Sequence, residues 1–192
     1  MIELLFKKLE VNENLSTRSK DLLREHIVLR HIKPGALFLE KGNFSNEIAF
    51  VFNGVFRSYL YHKVNEETTI EFINENGCLS NMKSFYGNIK SEYAIECEVT
   101  SDLAIITREA WGVFEKEIPE WRNTINHIHN RYLLETHNFQ GEILNQEALT
   151  SYRCFCEKFP NIVHNIPLSH IASFLGITQS TLSRIRKKNF DR

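Results

Sequence analysis

Between Pro167 and Lys188 lie the residues best placed to do chemistry on a partner. Gln179, Ser180, Ser183, Arg184 and Lys187 fall on one side of a stretch whose other side carries Leu182 and Ile185. A glutamine can bond bidentately to adenine, and an arginine to guanine O6 and N7, in the major groove of DNA. Thr178, Thr181 and the cluster Arg186, Lys187 and Lys188 suit phosphate oxygens. Such groups read a base edge only from a helix held at a fixed angle. Two short helices meeting at a sharp turn need a small residue at their contact, a glycine in the turn and apolar residues on the facing sides. Ala172, Gly176 and the set Ile171, Leu175, Ile177, Leu182 and Ile185 meet these needs, and Thr178 is a good N-cap for the second helix. The stretch predicts a helix-turn-helix. A surface helix with solvated charges would not need the Ala172–Gly176 spacing.

Charge supports a polyanion partner at this end of the chain. The 192 residues carry a net charge of −1, but residues 161–192 hold five basic residues against Asp191 alone, leaving the other 160 residues acidic. At 42% hydrophobic and 24% charged, the composition is that of a folded protein with an ordinary core. No run of 18 apolar residues exists to cross a membrane, and the start Met1-Ile2-Glu3-Leu4-Leu5-Phe6 is not that of a signal peptide. The four cysteines, Cys78, Cys97, Cys154 and Cys156, do not make a disulfide framework. A cytoplasmic location is expected.

The rest of the chain must position the reading helix. Ser16-Thr17 opens a helix through Leu22, Leu23 and Ile27. From Val28 the pattern becomes β-rich with turn residues between segments: Val28 to Ile32, Ala36 to Glu40, Ile48 to Phe52, Val55 to Tyr61, Thr68 to Ile73, Tyr93 to Val99 and Leu103 to Ile106. Lys33-Pro34-Gly35 and Glu75-Asn76-Gly77 read as turns, and Asn53-Gly54 as the strongest hairpin signal. This spacing predicts an antiparallel sandwich or barrel. Leu79 to Ser91 reads as a loop or short helix.

After Ile106 the period is helical. Pro119 fits the first turn of a long helix, with Glu115, Glu117 and Glu120 near its positive end and a seam of Trp121, Ile125, Ile128, Tyr132 and Phe139 widened by Leu133 and Leu134. Running to Gln146, it would be long enough to pair two subunits, with a hinge near Asn145. An amphipathic segment, Ala148 to Phe159, ends at Pro160.

Other chemistry is set aside. Cys154 and Cys156 diverge on a helix, as do His127 and His129, and nothing beyond composition makes His26, His31 or Cys78 a haem ligand. No Ser/His/Asp arrangement, P-loop or dinucleotide fingerprint is present. Neither an enzyme nor a metal site is expected, and no cofactor.

In Ile-Ala-Ser-Phe-Leu-Gly-Ile-Thr (171–178) and Leu-Ser-Arg-Ile-Arg-Lys-Lys (182–188) the chain resembles the Crp/Fnr superfamily of bacterial transcription factors, and Gly42, Gly54 and Gly77 match the turn glycines of that family's β-roll. The resemblance covers nearly the whole length. It implies an α+β chain with an N-terminal antiparallel β-roll (a jelly-roll-like double-stranded β-helix, 1–115), a dimerisation helix (116–146) and a C-terminal helix-turn-helix domain (147–192). It implies double-stranded DNA, a second copy of the chain and RNA polymerase as partners, with Gln179, Ser180 and Arg184 reading bases.

The resemblance also places an effector pocket at Gly77, Cys78, Glu92 and Tyr93. Members that bind cyclic AMP have Gly-Glu and Arg-Ser/Thr-Ala there, the arginine neutralising the phosphate. Here Gly77 precedes Cys78, and Glu92-Tyr93 precede Ala94. An acid would repel the phosphate, and Lys83 and Lys90 are expected to face solvent, so tight binding of cyclic AMP is not expected. The family's β-wing, beyond the recognition helix, is expected to be absent or minimal. The expectation is a homodimeric regulator on an inverted repeat. The alternative is a small-molecule sensor module acting through a protein partner, its basic end serving solubility or docking.

Overall fold

The structure, a computed structural model, describes residues 1–10, 15–63, 66–143, 146–160 and 163–189. Two helices, α1 (Ile2–Leu9) and α2 (Thr17–His26), precede an antiparallel sheet of β1 (Val28–Ile32), β2 (Leu37–Leu39), β3 (Glu47–Lys63), β4 (Glu66–Ile73), β5 (Cys78–Leu79) and β6 (Ala94–Thr107). A short helix, α3 (Met82–Gly87), interrupts the sheet before β6. Then follow α4 (Arg108–Glu117), α5 (Trp121–Ile143), α6 (Ala148–Lys158), α7 (Leu168–Phe174) and α8 (Gln179–Asn189).

The sheet corrects the strand count read from sequence. Ile48–Phe52 and Val55–Tyr61 are one strand of 17 residues, and Tyr93–Val99 and Leu103–Ile106 are one of 14, paired with each other along their length. Asn53-Gly54 is therefore no hairpin. Asn53 Nδ2 donates to Asp102 Oδ2 at 2.6 Å, and Asp102 N donates to Asn53 Oδ1 at 3.0 Å, so the dipeptide is held against β6 rather than turning back. The register shifts there, and Gly54, at φ +95°, forms the irregularity; a Cβ at that position would overlap Ser101. β1 and β2 pair with the outer halves of β6, while β4 and β5 pair with β3.

The helix α1 begins without a side-chain cap and is held by its buried face. Leu5, Phe6 and Leu9 lie on one face and are buried. They join Leu23 of α2 and the aromatic cluster of Trp111, Phe114 and Trp121, in which Trp121 meets Trp111 at 5.1 Å and Phe114 at 4.9 Å, edge to face. Each such pair adds about 0.5–1.5 kcal/mol beyond its burial. Side chains cap other helices: Ser16 accepts from Ser19 N, Asn81 from Ser84 N and Thr107 from Ala110 N.

Pro119 and Glu120 form the turn before α5 rather than its first turn, and Glu115 and Glu117 belong to α4. The helix has 23 residues and ends before Gln146; the expected hinge at Asn145 lies outside the described residues. Its seam is spent within the protomer. Trp121, Ile125 and Ile128 pack on the N-terminal core, Tyr132 donates a hydrogen bond to Glu71, and Phe139 packs with the C-terminal helices. Leu133 and Leu134 remain 50% and 63% exposed.

Candidate functional site

The C-terminal motif closes as its spacing requires. Ile177 N donates to Ala172 O at 3.0 Å and Gly176 N to Ser173 O at 3.2 Å, bending the chain through Gly176 at φ +66°. That left-handed conformation is routine only for glycine. Thr178 Oγ1 accepts from Thr181 N at 3.1 Å and caps α8. Ile171 and Leu182 are fully buried and Ala172 nearly so, with Leu175, Ile177 and Ile185 packed around them.

This packing leaves one face of α8 in solvent. Gln179, Ser180, Ser183, Arg184, Lys187 and Lys188 are exposed, Thr178 is exposed but committed as the cap, and Thr181 is half-buried. Arg184 lies along its own helix, with Nε 3.4 Å from Ser180 O and Nη2 3.4 Å from Thr181 Oγ1, long contacts that a better acceptor would replace. Arg186 differs from its neighbours: it is half-buried and close enough to Cys156 to act on its thiol. Arg186, Lys187 and Lys188 all sit in the last turn of α8, where the helix dipole favours cations.

The motif is docked on the sheet through residues that its sequence did not single out. Ser173 of α7 accepts from Thr69 N at 3.0 Å and donates to Glu67 O at 3.2 Å. His170 Nδ1 lies 2.8 Å from Glu98 Oε1, and the same carboxylate oxygen lies 2.8 Å from Arg57 Nε. Arg57, 2% exposed, also donates to Glu67 at 2.8 Å and Glu96 at 3.0 Å and stacks on Tyr59 with Cζ 3.9 Å from the ring centroid. Beside this charged chain, Phe72 of β4 packs edge to face on Phe155, Phe159 and Phe174. A buried arginine is tolerated because its carboxylates repay its desolvation. The sequence signal was Arg57, Glu67, Glu96 and Glu98 at alternating strand positions, but alternation says nothing about which strands are neighbours.

A second candidate site lies between the sheet and α5: a cavity of about 370 Å³. Its apolar walls come from Ile48, Phe50 and Ile73 on the sheet, Trp111 on α4, and Ile125 and Ile128 on α5. Polar groups interrupt these walls, among them Ser58, Glu71, Asn81, His129 and Tyr132. Of the pocket residues expected from sequence, Cys78, Glu92 and Tyr93 line it, whereas Gly77 lines an adjoining cleft that runs past Glu71 and Tyr132 to Phe159 and Phe174. Lys83 and Lys90 are exposed, and Lys83 is bound to Glu92 at 3.0 Å.

Burial is the largest influence on the titratable groups inside the cavity. Burial raises the Glu71 carboxyl, with the Tyr132 hydrogen bond opposing, and burial together with Glu71 pushes the Tyr93 phenol up to about 12. The Cys78 thiol is pushed up to about 12 by the same two causes, which keeps it a thiol rather than a thiolate ligand. Among the described residues no group of three His, Cys, Asp or Glu side chains is placed to hold a metal ion.

The order of these elements is a known one. A protein assigned to the Crp/Fnr family of transcriptional regulators from Eubacterium rectale superposes with a TM-score of 0.69 at 20% identity, over 91% of this chain and 83% of that one. The c-di-GMP-responsive global regulator CLP of Xanthomonas campestris gives 0.68 at 13% identity, over 90% and 91%. FixK2 of Bradyrhizobium japonicum gives 0.69 at 11%, over 84% and 83%. This chain has the Crp/Fnr fold. No family model matches it, and no curated protein matches it in sequence. The Crp/Fnr arrangement accounts for the sheet, long helix and C-terminal motif in one chain. Among the described residues no helix is long and apolar enough to cross a membrane.

Proposed function

We propose that this chain is a sequence-specific, DNA-binding transcriptional regulator that acts in the cytoplasm as a homodimer on an inverted repeat. The observation that carries the reading is the face of α8: Gln179, Ser180, Ser183 and Arg184 stand exposed on a helix held by buried Ala172 and Leu182. Gln179, Ser180 and Arg184 read bases, while Thr181, Arg186, Lys187 and Lys188 meet phosphates. Thr178 serves first as the cap. The exposed Leu133 and Leu134 of α5 support pairing of two protomers along the long helix. Two α8 helices about 34 Å apart would then enter successive major grooves. The chain of 1–115, 116–146 and 147–192 is read as sensor, pairing helix and reader, with RNA polymerase as the partner for activation.

Cyclic AMP is not the effector in this reading, because Glu92 occupies the arginine position and Lys83 is already paired. Selection of bound genomic fragments by purified protein tests the proposal. The wild type is expected to recover an inverted repeat, and Arg184→Ala to lose about 1–3 kcal/mol at one base pair of each half-site. An unchanged preference in Arg184→Ala overturns the recognition-helix assignment. The cavity between the sheet and α5 favours a second reading, a sensor module acting through a protein partner. Under that reading binding to DNA would be absent; under the first it falls steeply with salt as counterions are released.

A further inference from the structure

The cavity between the sheet and α5 carries more information than its position. Its walls are largely apolar, and its volume of about 370 Å³ lies in the range of small-molecule sites. Two charged groups of the wall, Lys83 and Glu92, bind each other at 3.0 Å with both side chains largely exposed, so they sit at the mouth. Deeper in, Glu71 reaches the cavity from β4 with Tyr132 as its hydrogen-bond donor, and the basic group on the helix side is His129. An anion entering would lose its hydration against apolar walls and meet a carboxyl group. A neutral molecule with an N–H or O–H would find an acceptor there.

We infer that the cavity binds an uncharged, mainly apolar small molecule whose hydrogen-bond donor meets Glu71, and that it discriminates against anions. The inference rests on the regulator reading only for what such a ligand controls. Glu71 and Tyr132 also wall the adjoining cleft that ends at Phe174 of α7, so a ligand that draws on the Glu71 carboxyl acts beside the helix that immediately precedes the reading helix. The ligand changes DNA binding only by favouring one arrangement of that contact over another.

The test uses two probes with the same ring system: neutral N-phenylnaphthylamine, which carries one N–H donor, and its sulfonated analogue, anilinonaphthalenesulfonate. Fluorescence titration of the whole protein without DNA is expected to show the neutral probe binding at least about tenfold more tightly than the sulfonate. Ile128→Trp, which fills the cavity, should abolish binding of the neutral probe. Should circular dichroism show that variant unfolded, Leu133→Trp at the rim blocks the same space from an exposed position. Glu71→Gln should narrow the preference for the neutral probe, since the amide no longer repels the sulfonate. Equal or tighter binding of the sulfonate by the wild type overturns the inference, as does binding that survives the filled cavity, or a preference untouched by Glu71→Gln. None of these results depends on DNA, so they stand apart from the fragment selection that tests the regulator reading.

Discussion

The two candidate sites are built in opposite ways. The helix-turn-helix uses consecutive residues from Pro167 to Lys188, whereas the cavity takes its walls from β3, β4, β5, α3, α4 and α5, between Ile48 and Leu133. In the first, each essential contact spans a few residues: Ile177 N to Ala172 O, Gly176 N to Ser173 O, Thr181 N to Thr178 Oγ1. In the second, the walls come from β3, from the stretch between Glu71 and Lys83, from Glu92 and Tyr93, and from α4 and α5, parts of the chain that meet only on folding. Local spacing therefore specifies the helix-turn-helix almost completely. The cavity depends on long-range register, and so does the contact that joins the sheet to the motif.

The largest effect should come from the joint between the two regions. Replacing Arg57 with Met strands Glu98, whose side chain is 4% exposed, and should cost about 3–5 kcal/mol in chemical denaturation. A cost near zero would mean that the charged chain from Arg57 through Glu98 to His170 does not hold the motif on the sheet. Leu182→Ala comes next. It opens a cavity beneath α8, where Leu182 is fully buried, and should cost about 2–5 kcal/mol while abolishing DNA binding. Thr178→Ala removes only the cap of α8 and should lower stability by about 1 kcal/mol, with thermal melting as the measure.

The smallest effect belongs to the cavity and depends on pH. Burial raises the folded-state pKa of Glu71 above its unfolded value, so the native state holds that proton more tightly. The resulting contribution is fully present below the unfolded carboxylate pKa of about 4.3 and is lost as pH rises through the folded value. Glu71→Gln cannot ionise, so its urea stability should fall less than that of the wild type as pH rises from the acid side. Parallel profiles would show that Glu71 is solvated in the native state.

Legibility followed the same division. Ser16 and Thr178 cap helices at the positions their types predict, and Lys33-Pro34-Gly35 turns, with Ala36 N donating to Lys33 O at 3.2 Å. Asn53-Gly54 misled because both a hairpin and a bulge suit a glycine at positive φ; Asp102, far along the chain, decides between them. The seam of α5 was legible as apolar, but spacing alone does not say whether a helix face meets its own sheet or a second chain. Here Trp121, Ile125 and Ile128 meet their own sheet and helices. The helix α1 had no start signal to read, and its burial comes from α2 and α5.

By itself, then, the sequence determined the β-rich first half, the long helix and the helix-turn-helix with its exposed Gln179, Ser180 and Arg184. Periodicity and turn chemistry act over a few residues and leave little choice there. Tertiary structure alone decided that β3 and β6 run unbroken past each other, that Arg57 gathers Glu67, Glu96 and Glu98, and that Glu71 and Tyr132 meet at one cavity. The reason is physical. Alternation along a strand assigns each side chain to a face, but only the pairing of distant strands, set by the burial of the whole core, decides what that face meets.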